Sequence, residues 1–200
     1  MPKFVDPTAR RLKVGEAVLR VVGARGVEGA SFGAIAEEAG LAIGSVRHYF
    51  PNHDAVLLFA MQELADRVTS RLRGRLESLA ELDVDLGTVE EILAELLPVN
   101  EHRRLEGDVW LAFIAATRTR PVLAEVAEKA SSGIRAVVGH VLAGAERRGL
   151  LRVEDLAVET ERLASLLDGL TLAIIRPPGI SAAMGRGVLR RHLESLAPTG

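Results

Sequence analysis

One stretch, SFGAIAEEAGLAIGSVRHYFPNHD at residues 31–54, constrains the fold more than any other part of the chain. Phe32, Ile35, Ala36 and Ala39 share one helical face, and Ser31 is a natural N-cap for that helix. Gly40 follows directly, where a helix ends most easily by turning left-handed without a Cβ penalty. Leu41 then anchors the turn. A second short helix is predicted from about Ile43 to Phe50, with Val46, Tyr49 and Phe50 facing inward and small Ala36 at the crossing. Two helices joined by a three- to four-residue turn containing Gly form the motif that sets its second helix in the major groove of DNA.

The remaining sequence lacks the alternating β-branched runs of strands, and its punctuation divides it into helices. Asp6-Pro7 opens the first helix, which Gly26 and Gly29 close. Asn52 caps a long helix from His53 to about Leu82, and Gly87–Leu97 is a short one stopped by Pro98. Asn100 caps a helix to about Thr119, and Pro121 opens one that ends at Gly149. Asp155 caps a helix that stops at Pro177-Pro178-Gly179, and Ser181 caps the last, to about Leu196. An all-α fold of about nine helices is therefore expected. Its domains would be a three-helix helix-turn-helix domain over 1–53 and a larger helical domain over 54–200.

The absence of cysteine excludes a disulfide scaffold and a thiolate metal site. No apolar run approaches the length of a membrane span, and MPKFVDPTARR has no hydrophobic core of the kind a secretion signal needs, so a cytoplasmic protein is expected. Residues 1–53 carry seven cationic and five acidic side chains, whereas residues 54–200 carry eighteen and twenty-two. A positive end on a negative body suits a protein that presents one end to phosphate.

The N-terminal segment resembles that of the TetR family of transcriptional regulators. The resemblance rests on TARRLKVGEAVLRVVGARGVEGA at residues 8–30, the IAEEAG run and HYFPNHD before a long helix, and it covers roughly residues 8–62. Two departures stand out: Arg47 where the family usually has Tyr, and His53 where it usually has Lys. They imply a different base preference and a weaker phosphate contact. On the second helix Gly44, Ser45, Arg47 and His48 point away from the core when Val46 points into it. Arg hydrogen-bonds guanine bidentately, and Gly44 lets the backbone approach DNA closely. Tyr49 could aim its hydroxyl at a phosphate, as aromatic residues do here in the family. His53 and the free N–H groups of the following helix could hold another phosphate, and Ser31 joins this DNA-binding set. The basic residues Lys3, Arg10, Arg11 and Lys13 form either a phosphate-binding arm or a solvated tail.

The helix after Asp155 is apolar on two sides. Leu163, Leu166, Leu167, Leu170 and Ile174 make one stripe, and Ser165, Gly169, Leu172 and Ala173 make a second surface of smaller residues. A partner chain is the natural cover for the second, with Met184, Val188 and Leu189 of the last helix supplying the other half of a four-helix homodimer interface, as in the family. The competing arrangement is a central helix of a monomeric bundle.

For an effector, Trp110 and Phe113 are the aromatics beyond residue 60, at i, i+3 spacing. They could stack on an apolar or flat aromatic ligand, or belong to the core. Thr117, Asp168, Thr171 and His140 are polar groups within apolar helices, either ligand contacts or satisfied structural groups. A multi-aromatic cage for a quaternary ammonium ion is not available. No catalytic residues, metal site or cofactor are indicated: His102 and Glu106 lack a third ligand, and no glycine-rich loop follows a strand. The chain is thus expected to be a homodimeric repressor that binds a double-stranded, pseudo-palindromic operator and is released by a small-molecule effector. The rival is a helical ligand-binding or adaptor protein whose helix-turn-helix no longer reads DNA.

Overall fold

The computed structural model describes residues 7–78 and 84–198, so Lys3, Asp6 and Leu82 lie outside the described residues. Among the described residues there are nine α-helices and no strand. They are α1 (Pro7–Gly29), α2 (Phe32–Ala39), α3 (Ile43–Tyr49), α4 (His53–Ser78), α5 (Leu86–Ala94), α6 (Glu101–Ala116), α7 (Ala124–Arg147), α8 (Leu156–Ile175) and α9 (Ala182–Leu196). None of them is long and apolar enough to cross a membrane.

The expected caps are in place. Ser31 Oγ accepts from the Ala34 amide at 3.2 Å, Asn52 Oδ1 from Ala55 at 2.8 Å, and Asn100 Oδ1 from Arg103 at 2.9 Å. Gly40 sits at φ 61°, and the amide of Leu41 reaches back to the Ala36 carbonyl, the left-handed stop that a side chain would strain. Several boundaries differ from expectation: α5 ends at Ala94 rather than Leu97, and α6 at Ala116 rather than Thr119. α1 breaks at Gly26, where φ is 69°. Asp85, not Gly87, opens α5, because its carboxylate takes both the amide and the hydroxyl of Thr88, at 2.8 and 2.7 Å. Pro121 starts a single 3-10 turn, Pro121–Leu123, before α7.

The chain folds as two compact units. The first comprises the described residues up to Asp66 together with Asp108–Glu128; the second takes Arg67–Gly107 and the described residues from Lys129 onward. Helices α4, α6 and α7 contribute residues to both. In the first unit α1 packs on α2 and α2 on α3, around Val14, Val18, Ile35, Val46, Phe50 and Met61. Gly15 is required there, since a Cβ would stand 2.9 Å from the Phe59 ring. Arg10, Arg11 and Lys13 belong to α1 rather than to a loose arm, and Arg11 lies over the rings of Phe50 and Phe59 at 5.1 and 5.0 Å.

The second unit packs α5 and α8 against α9 over a core that includes Leu93, Leu142, Leu163, Leu167 and Leu193. Buried Glu90 on α5 ties α9 down through Arg186 and Arg190, at 3.0 and 2.6 Å. Burial alone would raise the Glu90 carboxyl, but the two arginines together hold it below the usual carboxylate range.

A second ion cluster is harder to see in the sequence. Glu95 is buried and receives Arg71 and Arg75, each at 3.2 Å, and also Arg103. Arg71 forks onto Glu106 at 2.7 and 3.0 Å, where His102 also pairs at 3.1 Å. The His102–Glu106 pair is thus part of a salt-bridge network.

Candidate nucleic-acid interface

Helix α3 owes its place to Val46 and Phe50, both buried, and its other side faces solvent. Gly44, Arg47 and His48 are exposed, while Ser45 and Tyr49 are half-buried. The Arg47 guanidinium lies 5.6 Å from the centre of the Phe32 ring on α2, which orients it without using up its N–H donors. The His48 and Tyr49 rings meet edge to face at 5.2 Å. This surface can offer a guanidinium fork, an imidazole and two hydroxyls to bases and phosphates. Ser31 is exposed at the start of α2, but its oxygen already serves as the cap.

His53 is not available for phosphate, and this corrects the sequence-based expectation. Its Nε2–H donates to the Ala30 carbonyl at 2.7 Å, and its Nδ1 accepts from Arg120 at 3.3 Å. Both ring nitrogens are therefore spent inside the protein. Arg120 itself was missed in the sequence. It donates to Asp54 at 2.9 Å and to both oxygens of Glu28 at 3.3 and 3.2 Å, so it joins the end of α1 to the start of α4 within the first unit. Hydrogen bonding to Glu28 is the main reason its pKa is raised further, and desolvation opposes it. Nothing local marks an arginine before a proline as a clamp; its partners lie 66–92 residues away.

Arg120→Met keeps the stem and removes these bonds. The expected outcome is a first unit less stable by about 1–2 kcal/mol, the size of charge-assisted bonds discounted for the exposure of Glu28 and Asp54. Amide hydrogen exchange in α2 and α3 should speed up roughly tenfold. Unchanged exchange would show that the clamp carries no load.

The residues assigned to an effector are not gathered in one unit: Trp110, Phe113 and Thr117 belong to the first, Asp168 and Thr171 to the second. Phe113 is completely buried and packs in the core. Thr117 donates to the Ile114 carbonyl at 2.7 Å and buried Thr171 to the Leu96 carbonyl at 3.4 Å, so both are satisfied structural groups. Trp110 remains half-buried. Asp168 is exposed on α8, yet partial loss of water around its carboxyl pushes its pKa up, against the pull of Arg135.

Helix α8 has two sides. Leu163, Leu167, Leu170 and Ile174 are buried, whereas Ser165, Gly169 and Leu172 are exposed and Ala173 is half-buried. Met184 and Val188 of α9 are exposed too, but Leu189 is fully buried in the core and does not belong to the expected interface. Its direction follows from helical pitch: one residue after Val188 turns 100° toward the core. Among the described residues, six of the nine exposed large apolar side chains lie between Leu156 and Val188.

Comparison with known proteins agrees with this geometry. The family described as bacterial regulatory proteins, tetR family, matches residues 16–67, and the BetI-type transcriptional repressor C-terminal family matches residues 85–198. The HTH-type transcriptional regulator PksA of Bacillus subtilis (strain 168) is 36% identical, covering 98% of this chain and 94% of its own. A transcriptional regulator from Rhodococcus sp. Rha1 superposes with a TM-score of 0.79 at 28% identity, over 93% of this chain and 95% of that one. A regulator from Saccharomonospora viridis in complex with choline reaches a TM-score of 0.82 over 94% and 96% of the two chains; at 21% identity it shows the shared fold alone.

Proposed function

The chain belongs to the TetR family and is a DNA-binding transcriptional regulator; from that premise we propose that it is a cytoplasmic homodimeric repressor, released from a pseudo-palindromic operator by a small apolar or aromatic effector. The DNA-binding role falls to residues 1–53, within the first compact unit that also takes in Asp108–Glu128, and the effector-binding and dimerisation role to residues 54–200. The observation that carries the reading is the exposed face of α3, with Gly44, Arg47 and His48 free of the core. Ser45 and Tyr49 flank it. The dimer rests on α8 and α9 through Ser165, Gly169, Leu172, Ala173, Met184 and Val188. The effector acts by binding the released state more tightly than the DNA-bound one.

Choline does not carry over from the Saccharomonospora protein. A quaternary ammonium ion needs several π faces, and beyond residue 60 the sequence holds only Trp110 and Phe113. Footprinting the protein on its own upstream DNA tests the regulator reading. Two protected half-sites about one helical turn apart are expected. A chain whose helix-turn-helix had lost DNA reading would protect nothing.

Arg47 gives the sharper test. Two parallel donors match guanine O6 and N7, so a guanine is expected at the facing position of each half-site. Arg47→Ala should cost about 1–3 kcal/mol per half-site and erase the preference at that one base pair. Titrations against operators substituted at every position check it. A uniform loss across all sequences would make Arg47 a phosphate clamp instead.

A further inference from the structure

We infer that the second unit holds a binding site for a small apolar anion in the cavity between the end of α7 and the start of α5. The inference rests on the effector reading above and gives that effector a place and a charge. The cavity has a volume of about 210 Å³, room for about seven waters or one substituted aromatic ring. Its floor is Val89, Ile92, Val141 and Ala145, all buried and all apolar. Its mouth is basic: Arg147 and Arg148 line it with His140, and no carboxylate of the described residues does.

The two guanidiniums converge. A Cβ built on Gly144 would stand 3.6 Å from Arg148 Nη1 and 3.8 Å from Arg147 Nη2, so both charges reach over the same point of the rim. Arg148 donates to the Gly144 carbonyl of its own helix at 3.2 Å, and Arg147 makes no hydrogen bond or ion pair with the described residues. Elsewhere in this unit arginines that meet are bridged by a carboxylate, as Arg186 and Arg190 are by Glu90. Here no carboxylate of the described residues takes that place. An anion bridging the two would be held by charge-assisted bonds, and an apolar tail would cover the floor. Helical Gly144 keeps the entrance clear.

The test uses the full chain and 4-fluorobenzoate, observed by its fluorine resonance, with 4-fluorobenzamide as the uncharged match. Saturable broadening with the acid is expected, and binding of the amide at least tenfold weaker. The double variant Arg147→Gln, Arg148→Gln changes only exposed groups and should weaken the acid by tenfold or more. Gly144→Leu, which fills the mouth while favouring the helix, should abolish binding with the helical content unchanged. Equal binding of acid and amide, full binding by either variant, or no broadening of the parent at millimolar ligand would overturn the site. The two layers separate through operator titration. Binding that leaves operator affinity unchanged keeps the site and overturns the effector role; operator release by another compound, with no 4-fluorobenzoate binding, keeps the effector reading and overturns the site.

Discussion

Leu172→Glu is expected to leave a folded monomer that has lost its operator. Leu172 is 50% exposed on α8, Met184 is 58% exposed on α9, and Gly169 between Ser165 and Leu172 has nothing within 4 Å of a built Cβ. In the proposed homodimer a twofold interface uses each residue twice, so one substitution places two carboxylates in the apolar contact. Burying either without a partner costs several kcal/mol, which exceeds what a modest interface can offset. Operator binding then becomes two independent half-site events, and the linkage worth about 10²- to 10⁴-fold is lost. Sedimentation should give a monomer where the parent is dimeric, with the operator midpoint moving by that factor. Gly169→Leu introduces no charge and tests the same contact by bulk alone, because overpacking forces the helices apart. If both variants remain dimeric, the interface lies on another face.

The second large effect is on stability. Glu95→Ala strips the anion from Arg71, Arg75 and Arg103 while leaving all three cations in place. Breaking a buried pair by removing one partner costs about 3–5 kcal/mol. Arg75 is half exposed and can return to water, so the expected loss is nearer the lower figure. For a chain of this size that corresponds to roughly 6–12 °C in the melting midpoint. Arg75→Ala, which removes only the most solvated partner, should change it by about a degree or two. Thermal unfolding followed by circular dichroism compares the two. Equal losses would mean that the network acts as exposed pairs rather than as one buried unit.

The helices and their ends were legible because they are set by neighbours in sequence. Ser31, Asn52, Asn100, Asp155 and Ser181 each bond an amide two or three residues on, and that spacing can be seen without a structure. The outward face of α3 and the two sides of α8 followed from helical pitch for the same reason. What could not be seen depends on distant partners. His53 stands where a phosphate ligand is usual for the family, but Ala30 and Arg120 occupy its nitrogens. Phe113 and Leu189 satisfy the pattern of a functional stripe yet point inward, since a pattern gives a face and not what covers it. The Glu95 cluster draws on α4, α5 and α6, and no local motif announces such a meeting.

The clamp at Arg120 makes the DNA-binding end of this protein a discontinuous object. A fragment cut after Asp66 would contain α1, α2, α3 and the start of α4, but it would leave Glu28, Asp54 and His53 without the guanidinium they share. Grafting this specificity onto another regulator is therefore a two-segment transplant. The donor must bring the stretch around residues 108–128 along with its N-terminal helices, or the recipient must already present an arginine in the same place. Sequence alignments that exchange only the first sixty residues would join a reading helix to a foundation built for a different chain.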